Sequence, residues 1–413
     1  MSERETVVWR MAASALLARI RTGSLLVSAD DGFRRTFGHG APTATIDVHD
    51  ARFWRALLRG SRGLAESYAA GWWDTPDLVA VIRLAARNAV VIDRVRRVTA
   101  PVWTPSQRVR ALLTPPTRSR NRQDIAAHYD LGNALFERML DPTMMYSCAL
   151  FEHDGMTLEQ ASVAKLERIC QQLELGPGDH VLEIGTGWGG FAVHAAATRG
   201  CRVTTATISA EQHDYALARV RQAGVSDRVD VLRRDYRDLR GRYDKLVCIE
   251  MIEAVGWQQL GAFFARCSRL LNRDGAMLLQ AITIDDRAYE LEKASHSFIK
   301  EYIFPGGSLP SLEVMTRHLA RRTDLQAIAL HDITSSYVQT LRHWRANFLA
   351  ARDDIARLGY DERFLRMWTL YLAYCEAGFA ERRICDIQLL LAKPGWAARA
   401  HSEARSTAIN AVA

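Results

Sequence analysis

The chain has 413 residues, 48% of them hydrophobic and 24% charged, so it is long and apolar enough for one large α/β domain and a smaller one. Its 7 cysteines form no CxxC pair and no Cys/His cluster with zinc spacing, which argues against a disulfide framework and a metal centre and favours a reducing cytosol. No apolar run approaches the roughly 20 residues of a membrane span, and the N-terminus lacks the pattern of a signal peptide. We therefore expect a cytoplasmic protein that is not integral to a membrane.

Residues 1–93 predict a small N-terminal α+β domain. Two strands joined by a turn are predicted within 23–38, and a third strand at 43–48. Helical spacing follows in three segments, at 50–60, 63–73 and 75–88. This part of the chain shows no catalytic constellation, so we expect it to serve docking or assembly.

Residues 94–122 form a basic segment with eight arginines and no acidic residue. The four prolines in it indicate a boundary between two domains. Interspersed Val, Trp and Leu make this basic segment amphipathic, and its charge suits nucleic acid and an anionic lipid surface alike. On charge alone, a solvated linker is an equal alternative.

From residue 123 to 395 the pattern changes to strands that alternate with helices. Five apolar runs predict buried parallel strands, at 180–184, 202–208, 228–232, 245–250 and 276–282. This alternation predicts a doubly wound α/β sheet, in which ligands bind at the carboxyl ends of the strands. Residues 396–413 are predicted to be a flexible tail.

The sequence VLEIGTGWGG at 181–190 places a glycine-rich loop after the first of these strands. A nucleoside triphosphate loop is excluded, because no Gly-Lys-Ser/Thr follows. Gly185, Gly187 and Gly190 satisfy the dinucleotide spacing GxGxxG, although TATIS at the end of the second strand lacks the acid that such sites use. S-Adenosylmethionine is the third candidate, since Glu183 can bind its ammonium group and glycines without a Cβ admit its sugar and sulfonium.

Six motifs in residues 123–391 make the sequence recognisable. They are VLEIGTGWGG, TATISAEQ (205–212), HYDLGNALFERMLDPTMMYSCALFE (128–152), IEMIEAVG (249–256), YIFPGGSLPS (302–311) and YCEAGFAERRICDIQL (374–389). Together they strongly resemble the cyclopropane-fatty-acyl-phospholipid synthase family and its mycolic-acid-modifying relatives. The resemblance implies a Rossmann-like class I S-adenosylmethionine-dependent methyltransferase domain with a helical lid. In that family the second strand ends in a Thr/Ser/Gln segment, which accounts for the missing acid at TATIS.

The resemblance implies S-adenosylmethionine as the cofactor and assigns a set of residues to its site. These are Tyr146, Ser147, Glu183, Gly185, Gly187, Trp188, Gly189, Thr207, Ser209, Gln212, Asp235 and Tyr236. Tyr146 and Ser147 would close over the cofactor, and Asp235 would lie near its adenine. Without the resemblance, Tyr146 is a core aromatic residue, and a tryptophan in the place of Trp188 is more often a packing residue. For Asp235 the alternative is a surface turn acid, and its place after a strand at the cofactor edge favours the cofactor contact.

The resemblance also implies a chemistry. A methyl group added to an alkene leaves a carbocation, and a base must take a proton from that methyl group before a ring can close. In the family this base is thought to be a bicarbonate held by a cysteine, a glutamate, a tyrosine, a backbone amide and a histidine. The matching groups here are Cys148, Glu253, Tyr337 and the amide of Ile282, with Gln280 in place of the histidine. An amide carries no charge and transfers no proton, so bicarbonate would be bound more weakly or placed differently.

Because the histidine is missing, the sequence leaves open which product the enzyme forms. A cation that is not deprotonated at the new methyl group can undergo a hydride shift and give a methylene or methyl-branched chain. We predict cyclopropanation of unsaturated phospholipid acyl chains, with a lipid methyltransferase that forms methylene or branched chains as the alternative. Cys375 matches a cysteine regarded as an active-site residue in the family. Direct transfer needs no enzyme nucleophile, so a small buried helix residue is an equal interpretation.

The expected partners follow from where the substrate lies. An acyl double bond lies inside a bilayer, so we expect a peripheral enzyme at the inner face of the membrane, with the basic segment on anionic headgroups. Nucleic acid is not expected, because no binding motif accompanies the charge. A non-catalytic lipid-binding homologue and a methyltransferase of soluble acceptors are the alternatives of other classes, and a homodimer is left open.

Overall fold

The computed structural model describes residues 2–88, 131–293, 295 and 297–396. The chain divides into two compact units. Unit 1 contains Met1–Pro116, Arg287–Pro305 and Tyr337–Ile384, and unit 2 contains Thr117–Asp286, Gly306–Ser336 and Cys385–Ala413. The basic segment 94–122 and the residues after 396 lie outside the described residues. The predicted linker and tail, and the boundaries at 93 and 122, therefore stay predictions.

Helices and strands are numbered along the chain. The helices are α1 (Glu3–Leu17), α2 (Arg52–Leu57), α3 (Gly60–Ala69), α4 (78–88), α5 (Asn133–Met139), α6 (Leu158–Gln172), α7 (Gly190–Arg199), α8 (Ala210–Gln222), α9 (Leu260–Leu270), α10 (Tyr289–Lys293), α11 (Leu312–Arg322), α12 (Thr334–Ala350), α13 (Arg352–Arg357) and α14 (Glu362–Ala380). The strands are β1 (Gly23–Ala29), β2 (Arg34–His39), β3 (Thr43–Val48), β4 (Trp73–Asp74), β5 (His180–Ile184), β6 (Arg202–Thr207), β7 (Val229–Arg233), β8 (Tyr243–Ile249), β9 (Leu271–Ile284), β10 (Gln326–Asp332) and β11 (Ile384–Ala392). Within the described residues, none of the helices is long and apolar enough to cross a membrane.

The N-terminal part of unit 1 is a four-stranded sheet in the order β2-β1-β3-β4. β1 pairs antiparallel with β2 and parallel with β3. Buried residues of these strands pack with Phe53 and Trp54 of α2 and with Trp73 into one hydrophobic core. The three predicted strands are confirmed. Helix α1 is not among the predicted elements, although Ser2 and Glu5 form a capping box at its start.

Helix α14 packs in unit 1 against the N-terminal segment. Arg366 of this helix donates hydrogen bonds to the carbonyl oxygens of Tyr68 at 2.6 Å and Trp73 at 2.9 Å. It also donates to the carboxylate of Asp74 at 2.8 Å, and its guanidinium lies 4.1 Å from the centre of the Tyr68 ring. Unit 1 thus combines the N-terminal segment with helices from the part of the chain predicted to be catalytic.

Unit 2 is built on a seven-stranded sheet in the order β10-β11-β9-β8-β5-β6-β7. The five strands from β5 to β9 are parallel, and β10 pairs antiparallel with β11. Their nearly continuous burial is typical of parallel strands covered on both faces. The predicted doubly wound fold and its five strands are confirmed, with β9 beginning earlier than predicted, at Leu271.

Replacing Arg366 with methionine tests how much α14 contributes to unit 1. The substitution leaves two backbone carbonyls and a carboxylate without these donors, so we expect a loss of about 1–3 kcal/mol of unfolding free energy. The measurement is the midpoint of thermal unfolding. Arg363→Met, at an exposed position of the same helix, is the control and should change little. Equal midpoints for the two variants would contradict this role of Arg366.

Candidate active site

The glycine-rich loop runs from β5 to the start of α7, at the carboxyl edge of the sheet. Gly185, Gly187 and Gly189 have positive φ angles of 99°, 51° and 83°. Gly189 is the left-handed cap of α7, and a Cβ on Gly190 would lie 2.6 Å from the carbonyl oxygen of Thr143. Glycine is therefore required at 189 for the backbone conformation and at 190 for the close packing.

Glu183 lies on β5 just before this loop, and only 2% of the residue is exposed. Burial raises the pKa of its carboxyl group to about 8, against the smaller lowering effects of Thr205 and Lys165. Its Oε2 atom is buried and accepts no hydrogen bond from the described part of the chain. The ammonium group of S-adenosylmethionine would satisfy such an oxygen. The residues present therefore fit the amino-acid end of this cofactor.

Tyr146 and Trp188 both pack on Phe136. The ring centroids lie 5.1 Å from Phe136 for Tyr146 and 4.8 Å for Trp188. Nε1 of Trp188 donates to Oδ1 of Asn133 at 2.7 Å, and the Trp188 side chain is almost fully buried. Trp188 thus anchors the glycine-rich loop to α5, and its predicted contact with the cofactor stays a prediction.

The residues predicted for the ribose side form one network at the carboxyl end of β6. The hydroxyl of Thr207 donates to Oε1 of Gln212 at 2.9 Å and accepts from the N–H of Ser209 at 3.2 Å. The hydroxyl of Ser209 caps α8 by accepting from the N–H of Gln212 at 3.3 Å. All three residues are buried, so this end of β6 presents polar groups held by one another.

Asp235 and Tyr236 follow β7. Oδ1 of Asp235 accepts from the backbone N–H and from Nε of Arg237, each at 2.9 Å. Asp235 therefore caps the turn and pairs with Arg237. The Tyr236 ring meets Phe263 edge-on at 5.5 Å. The predicted adenine contacts of both residues stay predictions.

Cys148 is fully buried, and its thiol donates to the carbonyl oxygens of Ala149 at 3.1 Å and Ile333 at 3.7 Å. Its backbone N–H donates to Oε1 of Glu250 at 2.7 Å. Burial, followed by the carboxyl groups of Asp386 and Glu250, raises the pKa of the thiol well above its usual value. Cys148 is therefore a neutral thiol at physiological pH.

Glu253 and Ile282 meet directly after β8 and near the end of β9. Oε1 of Glu253 accepts from the backbone N–H of Ile282 at 2.6 Å. Burial, and then the charge of Glu250, raises the pKa of Glu253 to about 8. Its Oε2 atom is buried, with no hydrogen-bond partner among residues 2–88, 131–293, 295 and 297–396. Two residues predicted to hold the base are thus in contact, and one carboxyl oxygen remains open to a ligand.

Gln280 is fully buried on β9. Its Nε2 donates to Oε1 of Glu250 at 2.8 Å and to Oδ2 of Asp386 at 2.9 Å. Its Oε1 accepts from Nε2 of Gln388 at 3.2 Å. The predicted donation from Gln280 to a bound anion stays a prediction, and such an anion would compete with two carboxyl groups for the same amide.

Tyr337 and Cys375 belong to unit 1. The Tyr337 ring stacks on Phe379 with centroids 4.2 Å apart and meets Trp344 edge-on at 6.1 Å. Cys375 is half-buried on α14, and burial raises its pKa to about 12, so it is protonated at neutral pH. The predicted catalytic roles of these two residues stay predictions.

Sequence reasoning missed four polar residues of unit 2. Lys165 lies on the buried stripe of α6 and donates to Oγ of Ser147 at 2.6 Å. Asp386 and Gln388 alternate on β11 within a run of buried apolar residues. Glu250 follows β8 with a φ of 45°, which is uncommon for a residue other than glycine. For Lys165, Asp386 and Gln388 the sequence does show a signal, since each is a polar residue at a position where the apolar pattern predicts burial, but this signal was not used.

The chain is similar to known proteins over most of its length. Residues 117–389 match the family model described as mycolic acid cyclopropane synthetase. The chain belongs to this family. Tuberculostearic acid methyltransferase UfaA1 of Mycobacterium tuberculosis is 38% identical over 363 residues, which cover 86% of this chain and 84% of that protein. The cyclopropane-fatty-acyl-phospholipid synthase of Escherichia coli K12 is 38% identical over 361 residues, which cover 85% and 87%.

Solved structures of the family give the same result. The cyclopropane synthase MmaA2 of Mycobacterium tuberculosis aligns with a TM-score of 0.62 at 29% identity, over 66% of this chain and 98% of that chain. The mycolic acid cyclopropane synthase CmaA1, complexed with SAH and CTAB, aligns with a TM-score of 0.62 at 30% identity over the same shares. The predicted family and Rossmann-like fold are confirmed, and the protein is an S-adenosylmethionine-dependent methyltransferase.

Glu183 should give cofactor binding a pH dependence. Below its pKa of about 8 the carboxyl group of the free protein holds a proton, and binding an ammonium group must release it. The affinity for S-adenosylhomocysteine should therefore rise from about pH 6 to about pH 8, by up to roughly tenfold per pH unit, in isothermal titration calorimetry. Glu183→Gln cannot titrate and should lose this dependence, whereas Glu211→Gln, at an exposed position of α8, should keep it. An unchanged slope in Glu183→Gln would assign the dependence to another group.

Proposed function

We propose that this protein transfers the methyl group of S-adenosylmethionine to the double bond of an unsaturated phospholipid acyl chain and closes a cyclopropane ring. The main support is a pair of contacts between β9 and the residues after β8, from Ile282 to Glu253 and from Gln280 to Glu250. Cys148 joins them through its hydrogen bond to Glu250. β8 lies beside β5, which carries the glycine-rich loop, so the acceptor side and the cofactor loop share one edge of the sheet.

S-Adenosylmethionine supplies an electrophilic methyl group on a sulfonium cation. The residues of the chain hold and orient it, with the open Oε2 of Glu183 as acceptor for its ammonium group. An alkene is a weak nucleophile, so the site must contain no stronger one. Cys148 meets this requirement, because the raised pKa of its buried thiol keeps it protonated and poorly nucleophilic.

Methyl transfer leaves positive charge on the acyl chain until the ring closes, and the carboxyl groups of unit 2 suit that charge. Glu250 lies close enough to raise the pKa of Glu253, and both lie close enough to raise the pKa of Asp386. Buried and fixed, their carboxyl oxygens carry partial negative charge that stabilises a cation without the reorganisation that water requires. A fully buried thiol and apolar strand residues around them exclude water, which would otherwise trap the cation.

A methylene or methyl-branched product is the second candidate. Gln280 favours it, because both of its amide hydrogens are donated to Glu250 and Asp386 and leave none for a bound bicarbonate. The similarity to a tuberculostearic acid methyltransferase, at the same 38% identity as to the cyclopropane-fatty-acyl-phospholipid synthase, also supports it.

We propose that the enzyme acts at the cytoplasmic face of an anionic membrane. The support for this proposal is the basic segment 94–122, which contains eight arginines and no acidic residue. Each arginine near such a surface contributes about 1 kcal/mol of attraction. The acyl chains of the membrane would then be the substrate at the surface where the enzyme docks.

Mass spectrometry of the fatty acids tests the proposed product. Purified protein and S-adenosylmethionine are incubated with vesicles of unsaturated anionic phospholipid, and in parallel with zwitterionic vesicles. We expect a saturated ring product one methylene unit heavier than the substrate and resistant to mild hydrogenation, formed faster on the anionic vesicles. An isomeric product that takes up hydrogen would favour the second candidate, and no modified lipid at all would contradict the proposed function.

A further inference from the structure

Glu250, Gln280 and Asp386 form a hydrogen-bonded cluster across three neighbouring strands, β8, β9 and β11. Nε2 of Gln280 donates to Glu250 at 2.8 Å and to Asp386 at 2.9 Å. A primary amide has two hydrogens, so neither remains for an external anion. The N–H of Ile282 is likewise taken, by Oε1 of Glu253 at 2.6 Å. Two donors expected to hold a bicarbonate thus hold carboxyl groups of the protein.

Asp386 is the member of this cluster with spare acceptor capacity. Its side chain is fully buried, Oδ2 accepts from Gln280, and Oδ1 accepts no hydrogen bond from the residues that the structure describes. The titratable groups that surround it are Glu250, Glu253, Cys148 and Lys165. Burial, and then the charges of Glu250 and Glu253, raises the pKa of Asp386 well above its usual range. The raised pKa makes the Asp386 carboxylate a stronger base than an exposed aspartate.

We infer that Asp386 is the catalytic base of the reaction, a carboxyl group of the protein in the place of a bound anion. The inference rests on the proposed function, since only ring closure requires a base at this point. Asp386 combines an open carboxyl oxygen with a position beside Glu253, Cys148 and Gln280, the residues predicted to surround the base. A fixed carboxyl group needs no binding step and no charged histidine to hold it.

The step balances without any further reactant. A C–H bond of the newly added methyl group breaks, and its electron pair forms the C–C bond to the cationic carbon, which closes the ring. The proton goes to Oδ1 of Asp386. Asp386 is then protonated, and this proton returns to solvent when the product leaves.

Asp386→Asn tests the inference, because asparagine keeps the shape of the side chain and cannot take the proton. The enzyme, S-adenosylmethionine and vesicles of unsaturated anionic phospholipid are incubated in bicarbonate-free buffer and with added bicarbonate. The wild-type protein and the control Asp230→Asn, at an exposed position of β7, should form ring product at one rate in both buffers. Asp386→Asn should form it about 10²–10⁴-fold more slowly, with unchanged affinity for S-adenosylhomocysteine.

Two further readouts separate a base from a structural residue. Asp386→Asn should shift the remaining product toward methylene and branched chains, because the cation then loses its proton elsewhere. Asp386→Glu keeps a carboxyl group and should restore ring formation without bicarbonate. If Asp386→Asn fails to bind S-adenosylhomocysteine, ring formation by Asp386→Glu becomes the test of whether residue 386 acts as a base.

Three results would overturn the inference. Wild-type ring formation that requires bicarbonate, or ring formation by Asp386→Asn at the wild-type rate, would overturn the role of Asp386 and leave the proposed function standing. Wild-type protein that binds S-adenosylhomocysteine but methylates no acyl chain would overturn both.

Discussion

The desolvation of carboxyl groups is the constraint on which unit 2 depends. Glu183, Glu253 and Asp386 lie near strand ends where burial raises the pKa of each. A fold tolerates such groups only if hydrogen bonds, shared protons or bound ligands offset the lost hydration. The amides of Gln280 and Ile282 offset part of it. The carboxyl oxygens left without partners mark the positions where a ligand or a proton completes the site.

The sequence predicted the parallel strands well because their burial leaves long apolar runs. It predicted less where tertiary context decides. Helix α1 buries only Ala13 and Leu17, so its hydrophobic periodicity is weak. Strand β10 alternates exposed and half-buried residues at the sheet edge, and Ile328 and Leu330 are exposed, so the pattern does not show which face is covered. Strand β4 is two residues long and was absorbed into a predicted helix.

The residues of the site likewise divide into those that could be assigned from the sequence and those that could not. Residues within recognisable motifs, such as Glu183 and Glu253, could be assigned from the sequence. Lys165 and Asp386 were not assigned, since their importance comes from burial beside groups distant in the chain. Asp386 lies within the recognised motif 374–389, but the motif does not show its partners. The partners of Gln280 were also out of reach, because the sequence shows a lost histidine but not the carboxyl groups that receive the amide. The effect of having Gln280 in place of the histidine therefore follows only from the contacts of Gln280 in the folded sheet.

The interleaving of the two units has a consequence for biosynthesis. Glu381 follows α14 and pairs with Arg83 and Arg87 of α4, 298 and 294 residues earlier. A ribosome therefore releases the N-terminal sheet long before it makes the helix that packs on that sheet. Contacts of such sequence separation form slowly, and the waiting surface stays exposed to chaperones and to aggregation. The nascent chain completes unit 1 only after residue 384 has been made.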